Sequence, residues 1–251
     1  MGRLAKWLVG VGLVFYFIFL VVSSIPGAWA SYFVVKSAPG VQLFGVSGTV
    51  WKGKAAKASV NIDGLVVDLG ELRWKLKPLN LLGFSACANI TSAKLSMDFC
   101  RALLGARNTV ENFQFDFPAS YGNRLLREAN FDGNASLNLR KAVVSDQGLV
   151  DELDGNFSWR NSRIKVEGRW FALGDYAANL SGNGEGAVRA EIFDQQAPIK
   201  VNLIGLIGVS QPPKVQGVVR LTEQAPPEAQ DVLSIFAVPT DDGGFEVKFP
   251  L

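Results

Sequence analysis

The strongest constraint on the fold is an alternation of apolar and polar residues that begins beyond residue 40. In residues 56–63 every second residue is apolar. Residues 71–77 repeat the pattern, with Leu72, Trp74 and Leu76 between charged residues. A period of two residues is typical of β-strands with one dry face and one wet face, and a helix cannot maintain such a contrast. The alternation therefore predicts a mainly β fold.

The same alternation recurs downstream, so we expect about ten strands. The further segments are residues 113–117, 135–139, 157–159, 164–166, 188–192, 199–203, 215–221 and 245–249. Asp-Gly pairs and other glycine-containing turns separate them, which is typical of short antiparallel connections. Helical signal is limited to parts of residues 80–82 and 99–107, to a turn at residues 123–129 and to residues 227–236. The pattern predicts an antiparallel β-meander, forming a curved sheet or a sandwich, with few short helices.

The N-terminus carries an uncharged apolar segment. No charged residue occurs between Lys6 and Lys36, and a sixteen-residue apolar run extends from Trp7 to Val22. A helix over residues 5–24 would be about 30 Å long, which is about the thickness of the hydrocarbon core of a bilayer. The segment therefore predicts a single transmembrane helix.

The flanking residues predict an orientation for this helix. Arg3 and Lys6 precede the run that begins at Trp7, and positive charge marks the cytoplasmic end of a membrane helix. Trp29 follows the run, where it suits the far membrane interface. Residues 1–30 are then a cytoplasmic start and an anchor, and residues 31–251 form a β-rich domain outside the cytoplasm.

A cleaved signal peptide is the competing interpretation of this segment. Ala28-Trp29-Ala30 fits the small-x-small cleavage pattern, and Pro26-Gly27 would break the helix just before it. Both interpretations deliver residues 31–251 to the same side of the membrane. The predicted compartment is therefore the same for an anchor and for a cleaved signal.

Charge and composition exclude several function classes. The chain has 25 Lys+Arg against 23 Asp+Glu, so it lacks the basic footprint of a nucleic-acid-binding protein. Histidine is absent, which excludes every mechanism that uses an imidazole as base, relay or metal ligand. No nucleophile–base pair and no metal-ligand constellation is recognisable. We expect a protein that is not an enzyme, with no metal site and no cofactor.

Two local features have more than one interpretation. Glycine-rich residues 45–48 and 182–186 lack the spacing of a nucleophile elbow or a P-loop, and we interpret them as turns. Lys52, Lys54 and Lys57 lie within a predicted strand. They either meet lipid phosphates or a partner, or they cover a wet strand face.

The two cysteines, Cys87 and Cys100, are thirteen residues apart. Cysteines commonly pair in an oxidising compartment, and the spacing is not that of a redox motif or a zinc ribbon. A disulfide closing a loop of this size contributes roughly 3 kcal/mol in the chain-entropy model. We therefore predict a structural disulfide between them.

Two tryptophan motifs resemble a known family. Residues 48–55 read Gly-Thr-Val-Trp-Lys-Gly-Lys-Ala, and residues 74–83 read Trp-Lys-Leu-Lys-Pro-Leu-Asn-Leu-Leu-Gly. Together they are similar to the general secretion pathway protein N family, the N component of the Gram-negative type II secretion system. The signature residues that carry the resemblance are Gly48, Thr49, Trp51, Gly53, Trp74, Pro78 and Gly83.

The resemblance implies a single-pass inner-membrane protein with its C-terminal domain in the periplasm. It implies an accessory role in exporting folded proteins across the outer membrane, with other secretion components as partners, and it favours an uncleaved anchor. It implies no enzymatic activity and no catalytic residues. The signature residues are expected in structural roles, with Gly48 and Gly53 at a turn beside Trp51 and Pro78 at a strand end.

Two alternative functions stay open. The first is a lipid-handling module similar to AsmA-like proteins, in which an acyl chain covers an open apolar groove on the sheet. The second is a secreted β-sandwich binding protein, which signal cleavage would favour. Lipid is accordingly a candidate partner, whereas nucleic acid is not.

Overall fold

The computed structural model of the chain describes most of its 251 residues. The described residues are 3–38, 40–62, 64–105, 107–124, 130–166, 168–182, 186–208, 212–227, 229–230, 233–234 and 237–250. The chain divides into two units, Met1–Ala93 and Lys94–Leu251.

Two α-helices begin the first unit. α1 spans Arg3–Ser23 and α2 spans Gly27–Ser37, with Pro26 at the N-cap of α2. Proline interrupts a helix because it has no backbone N–H and its ring clashes with the preceding turn, so α1 ends before Pro26. The same residue is tolerated at the start of a helix, and for this reason a second helix follows the predicted break.

The apolar side chains of α1 are exposed on all sides of the helix. Trp7, Phe15 and Phe17 have 76%, 70% and 67% of their surface accessible. The helix covers the segment predicted to be transmembrane. Within the described residues, however, no helix combines the length and the apolar character needed to cross a membrane.

Four antiparallel strands complete the first unit and lie side by side in chain order. They are β1 (Val41–Gly48), β2 (Lys52–Ile62), β3 (Leu65–Leu76) and β4 (Ser85–Thr91). A 3-10 helix, Pro78–Gly83, connects β3 to β4. The β2–β3 register pairs Gly53 with Trp74 and Lys52 with Lys75. Because side chains alternate along a strand, the two pairs lie on opposite faces of the sheet.

The second unit contains ten described strands. They are β5 (Leu95–Ala102), β6 (Arg107–Pro118), β7 (Asn130–Ser145), β8 (Val150–Val166), β9 (Arg169–Gly182), β10 (Ala187–Gln196), β11 (Ile199–Gly208), β12 (Lys214–Leu221), β13 (Ala237–Pro239) and β14 (Phe245–Pro250). Each pairs antiparallel with the next as far as β12, and β14 then lies between β12 and β13. A 3-10 helix, Ala119–Arg124, follows β6.

The predicted antiparallel β-meander is confirmed, and its strands form open sheets instead of the alternative sandwich. The prediction of about ten strands is too low, because β1, β4, β5, β9 and β13 lack a long alternating run. The helix predicted at residues 99–107 is wrong, since β5 and β6 occupy most of it. Residues 125–129 and part of 227–236 lie outside the described residues.

The buried residues of the sheets are mostly small. Eight of the thirteen buried apolar residues are alanines, whereas most large apolar side chains of the strands are half-buried. In a single layer of strands, only neighbouring side chains of the same sheet shield a side chain from solvent. Small side chains are shielded most completely in this way. The larger apolar side chains therefore keep part of their surface accessible.

Tyr176, on β9, gives a test of the packing in the second unit. Its hydroxyl donates a hydrogen bond of 3.2 Å to the carbonyl oxygen of Ile199, and burial, with a smaller effect of Asp194, raises its pKa to about 12. The unfolded phenol ionises near pH 10. Stability contributed by the neutral phenol is therefore complete below pH 10 and is lost as the pH rises from about 10 to about 12.

We expect the chemical unfolding midpoint of the wild type to fall across this pH window. The unfolding midpoint of Tyr176→Phe should fall less steeply with pH, because phenylalanine has no proton to lose. Tyr121→Phe removes a hydroxyl elsewhere in the same unit and serves as the control. Equal declines in all three proteins would contradict the burial of Tyr176.

Candidate functional site

The part of the chain that the structure describes contains no cluster of metal-binding side chains. No group of three or more Cys, Asp or Glu side chains there could hold a metal ion, and the sequence has no histidine. The tryptophan motifs are therefore the strongest candidates for a functional site. Both lie in the first unit, around the loop that connects β1 to β2.

The loop between β1 and β2 is a tight turn. The backbone N–H of Thr49 donates to the carbonyl oxygen of Lys52 at 2.9 Å, and the N–H of Lys52 donates to Thr49 Oγ1 at 3.2 Å. Gly48 enters the turn with φ +90°, a conformation that favours glycine because it has no Cβ. A Cβ there would lie 2.6 Å from the carbonyl oxygen of Lys52. The predicted role of Gly48 in a turn therefore has a geometric basis.

The residues at the tip of this turn bond to the end of α1. The indole N–H of Trp51 donates to the carbonyl oxygen of Val22 at 2.8 Å. The backbone N–H of Val50 donates to the carbonyl oxygen of Ile25 at 3.0 Å. Val22 lies in the last turn of α1, where carbonyl oxygens lack full intrahelical pairing, and Ile25 lies between α1 and α2. The motif therefore ties the N-terminal helices to the sheet.

Trp74 holds the other side of the same turn. Its indole N–H donates to the carbonyl oxygen of Val50 at 3.1 Å, and its ring lies over the backbone of Gly53. The start of α2 packs on the same ring, because a Cβ at Gly27 would lie 3.2 Å from Trp74 Cζ2. Gly27 is also buried. Both glycines therefore leave the space that the indole ring fills.

We call this arrangement the helix–sheet junction. It consists of Val22, Ile25, Pro26 and Gly27 on the helical side and of residues 49–53 with Trp74 on the sheet side. An isolated bridge between Pro26 and Thr49 completes it. The junction brings Thr49, Trp51, Gly53 and Trp74 together, which the two separate motifs did not predict.

Pro78 and Gly83 lie apart from these contacts. Pro78 begins the 3-10 helix after β3 and ends that strand, as the sequence predicted. A Cβ at Gly83 would meet no atom within 4 Å. Leu79 and Leu82, between them, are 78% and 82% exposed. This segment is an exposed apolar loop.

A groove of about 450 Å³ lies over β1–β4. We call it the basic groove, because its lining includes four basic side chains and none of its lining residues is acidic. Two cross-strand rows form it. One row is Ser47, Lys54, Arg73 and Thr91, and the other is Lys52, Lys75 and Asn89.

Glu71 is the acidic neighbour of the basic groove. Arg73 Nε donates to Glu71 Oε1 at 2.7 Å, and both side chains are largely exposed. This hydrogen bond and the charge of Arg73 lower the pKa of Glu71 below its usual value, and Lys54 adds a smaller effect. The carboxylate therefore engages Arg73 and leaves the three lysines of the groove to solvent or to a ligand.

The residues predicted to set the membrane topology are only partly described. The side chains of Arg3 and Lys6 lie outside the described residues, whereas Trp7 and Trp29 are 76% and 58% exposed. Trp29 lies on α2, which the sequence analysis did not predict as a separate helix. The orientation that these residues indicate stays a prediction.

The sequence motifs and the comparisons lead to the same family. Residues 39–248 match the family model described as type II secretion system (T2SS), protein N. The chain belongs to this family. The match covers all seven signature residues and begins after α2. No curated protein and no solved structure matches the chain.

Membership of the type II secretion system protein N family indicates an accessory role in type II secretion and contact with other components of that system. It adds a family context to the helix–sheet junction, because the sheet side of the junction lies inside the matched residues. The helical side lies outside them. Sequence reasoning missed Val22, Ile25 and Gly27, since no local pattern shows which residues accept hydrogen bonds from a distant turn or pack on a distant indole ring.

Both cysteines are disulfide-bonded, and neither is a free thiol. Cys87 lies on β4 with 3% of its surface accessible, and Cys100 lies on β5. The pairing of Cys87 with Cys100 stays a prediction.

Proposed function

We propose that the protein is a non-enzymatic accessory subunit of the type II secretion system, held at the inner membrane by its N-terminal helices. The helix–sheet junction carries this proposal. The indole N–H of Trp51 donates to the carbonyl oxygen of Val22, and the backbone N–H of Val50 donates to the carbonyl oxygen of Ile25. The most distinctive motif of the chain therefore joins an apolar helix to a β-sheet. Such a joint suits a subunit that positions a sheet at a membrane surface.

The location is part of the proposal and has its own support. Apolar side chains surround α1, and an apolar surface of that kind is stable only when lipid or protein covers it. Disulfide-bonded cysteines suit the oxidising periplasm. Membrane fractionation and N-terminal sequencing test the location, since a cleaved signal would leave a mature chain that begins near Ser31.

The secretion role is tested by complementation. In a Gram-negative host that has this secretion system, we expect deletion of the gene to reduce the secreted proteins in the medium. Wild-type protein should restore secretion, and Trp51→Ala should fail to do so because the indole N–H and ring that hold α1 are lost. Trp51→Phe keeps an aromatic ring but loses the hydrogen bond, so we expect partial activity.

Phe44→Ala is the matched control for this experiment. Phe44 is an aromatic residue of the same unit, 56% exposed and outside the helix–sheet junction. Immunoblots must show that all variants accumulate equally. Normal secretion in the deletion strain would contradict the secretion role, and full activity of Trp51→Ala would contradict the role of the junction.

A lipid-handling module is the second candidate function. Phe113, Phe115 and Phe117 lie on one face of β6 with neighbouring ring centroids 6.4 and 4.9 Å apart, and all three are half-buried. A face of this kind can bind an acyl chain. Organic extraction of the purified full chain, followed by mass spectrometry, should then recover stoichiometric lipid, and lipid-free protein with an unchanged fold would exclude this function.

A further inference from the structure

Seven ion pairs of the second unit join side chains from two different strands or from a strand and a turn. The pairs are Arg101–Asp146, Arg107–Asp151, Arg140–Asp154, Lys141–Glu152, Arg163–Asp132, Lys200–Asp194 and Arg220–Asp242. Opposite charges on neighbouring strands are the usual arrangement on the wet face of a sheet, because they attract each other directly.

The basic groove of the first unit has the reverse arrangement. Lys52 lies directly opposite Lys75, and Lys54 lies directly opposite Arg73. Like charges in directly opposite positions destabilise a sheet. Within the described residues, no carboxylate forms an ion pair with Lys52, Lys54 or Lys75. Glu71 compensates the charge of Arg73, so the three lysines are held beside it at a cost in stability that a bound anion would lower.

The same asymmetry appears in the charges of the two units. Residues 1–93 contain nine basic and three acidic side chains, whereas residues 94–251 contain sixteen basic and twenty acidic ones. A basic stretch of sequence followed by an acidic one indicates an anionic partner for the basic stretch, although the net charge of the whole chain is only +2. The basic region is the one that carries the apolar helix α1.

The basic groove also begins at the helix–sheet junction. Lys52 directly follows Trp51, whose indole N–H bonds to Val22 near the end of α1. The first cation of the groove is thus one residue from the contact that holds an exposed apolar helix. Apolar surface beside clustered lysine and arginine side chains is the combination that anionic membranes attract.

We propose that the basic groove binds the phosphate groups of anionic phospholipid headgroups. Lys52 and Lys75 contact one phosphate, and Lys54 and Arg73 contact a second one about 7 Å away, the spacing of alternate residues along a strand. Arg73 binds Glu71 through Nε, and its terminal N–H groups suit phosphate oxygens. The hydroxyl groups of Ser47 and Thr91 lie at the two ends of the same row, beside Lys54 and Arg73 respectively. This inference rests on the proposed membrane location.

The test uses the full chain in a nonionic detergent. Equimolar phosphatidylglycerol and phosphatidylcholine with identical acyl chains are added, and native mass spectrometry counts the retained lipids. We expect phosphatidylglycerol to be retained about tenfold more than phosphatidylcholine. Lys52→Gln/Lys75→Gln and Lys54→Gln/Arg73→Gln should each bring the ratio near one.

Lys214→Gln/Lys248→Gln is the matched control, since it removes the same charge from two exposed lysines of the second unit. It should keep the wild-type ratio. If the control lost the preference for phosphatidylglycerol to the same extent, the preference would depend only on net charge, and the proposal would be overturned. A ratio of retained phosphatidylglycerol to phosphatidylcholine near one in the wild type would also overturn the proposal, even if the protein co-fractionates with membranes and supports secretion.

Two further experiments distinguish lipid headgroups from other anionic ligands of the basic groove. Inorganic phosphate at the same concentration should not displace phosphatidylglycerol, and complete displacement would assign the groove to free phosphate. Co-purification of an acidic secretion component that depends on Lys52 and Lys75, without any headgroup preference, would assign it to a protein partner. Either result would overturn the lipid assignment while leaving the secretion role intact.

Discussion

Replacing Gly53 with alanine should lower the free energy of unfolding by about 2–3 kcal/mol. A Cβ at this position would lie 2.7 Å from Trp74 Cε2 and 2.8 Å from the carbonyl oxygen of Ser47. The indole ring cannot move aside without breaking its hydrogen bond to the carbonyl oxygen of Val50, which is 3.1 Å long. Denaturant unfolding of the full chain in detergent, followed by tryptophan fluorescence, measures the change.

Gly83→Ala is the matched control, because Gly83 belongs to the same signature and a Cβ there would meet no atom within 4 Å. We expect its effect to stay within about 0.5 kcal/mol. The double variant Gly53→Ala/Trp74→Phe should cost less than the sum of the two single variants, since the smaller ring makes room for the methyl group. Additive effects, or a neutral Gly53→Ala, would contradict the packing of the helix–sheet junction.

Loss of the predicted disulfide should lower the free energy of unfolding by roughly 3 kcal/mol, the chain-entropy value for a loop of this length. For a chain of this size the melting temperature would fall by roughly 6–12 °C. The double variant Cys87→Ala/Cys100→Ala tests this, with alanine chosen because Cys87 is 3% exposed and packs as a small apolar residue. Reduced wild-type protein should show the same melting temperature as the double variant.

Peptide mapping without reduction identifies the partners of the bond. One peptide containing both Cys87 and Cys100 should be recovered, and maleimide should label neither cysteine in denatured, unreduced protein. Labelling of both cysteines, or a melting temperature unchanged by reduction, would contradict the disulfide.

The strands that alternate cleanly could be predicted from the sequence, and those that do not could not. β2 and β3 alternate cleanly over residues 56–62 and 71–76, so the two faces of these stretches are readable from the sequence. β5 was mistaken in part for a helix, because its eight residues end beside Leu103 and Leu104 and the short apolar run has no clear period. Pairing with β6 makes this segment a strand, and a local sequence pattern does not show which strands will pair.

The helix–sheet junction and the basic groove show a different limit of sequence reasoning. Trp51 and Trp74 were identifiable as large residues beside glycines, but their separate carbonyl partners, Val22 for Trp51 and Val50 for Trp74, depend on long-range packing. Lys52 and Lys54 were identifiable as basic strand residues. Their opposition to Lys75 and Arg73 depends on the β2–β3 register, which irregularities between Ala55 and Ser59 help to set.

Amide hydrogen exchange at Val50 is the most direct test of the helix–sheet junction. The Val50 N–H donates to the carbonyl oxygen of Ile25 at 3.0 Å, so its exchange reports whether the segment between α1 and α2 stays bonded to the turn. The full-length wild type should exchange this proton at least about a hundredfold more slowly than an unprotected amide, and Trp51→Ala should abolish the protection while leaving β8 unchanged. Exchange of Val50 at the unprotected rate in the wild type would contradict the junction.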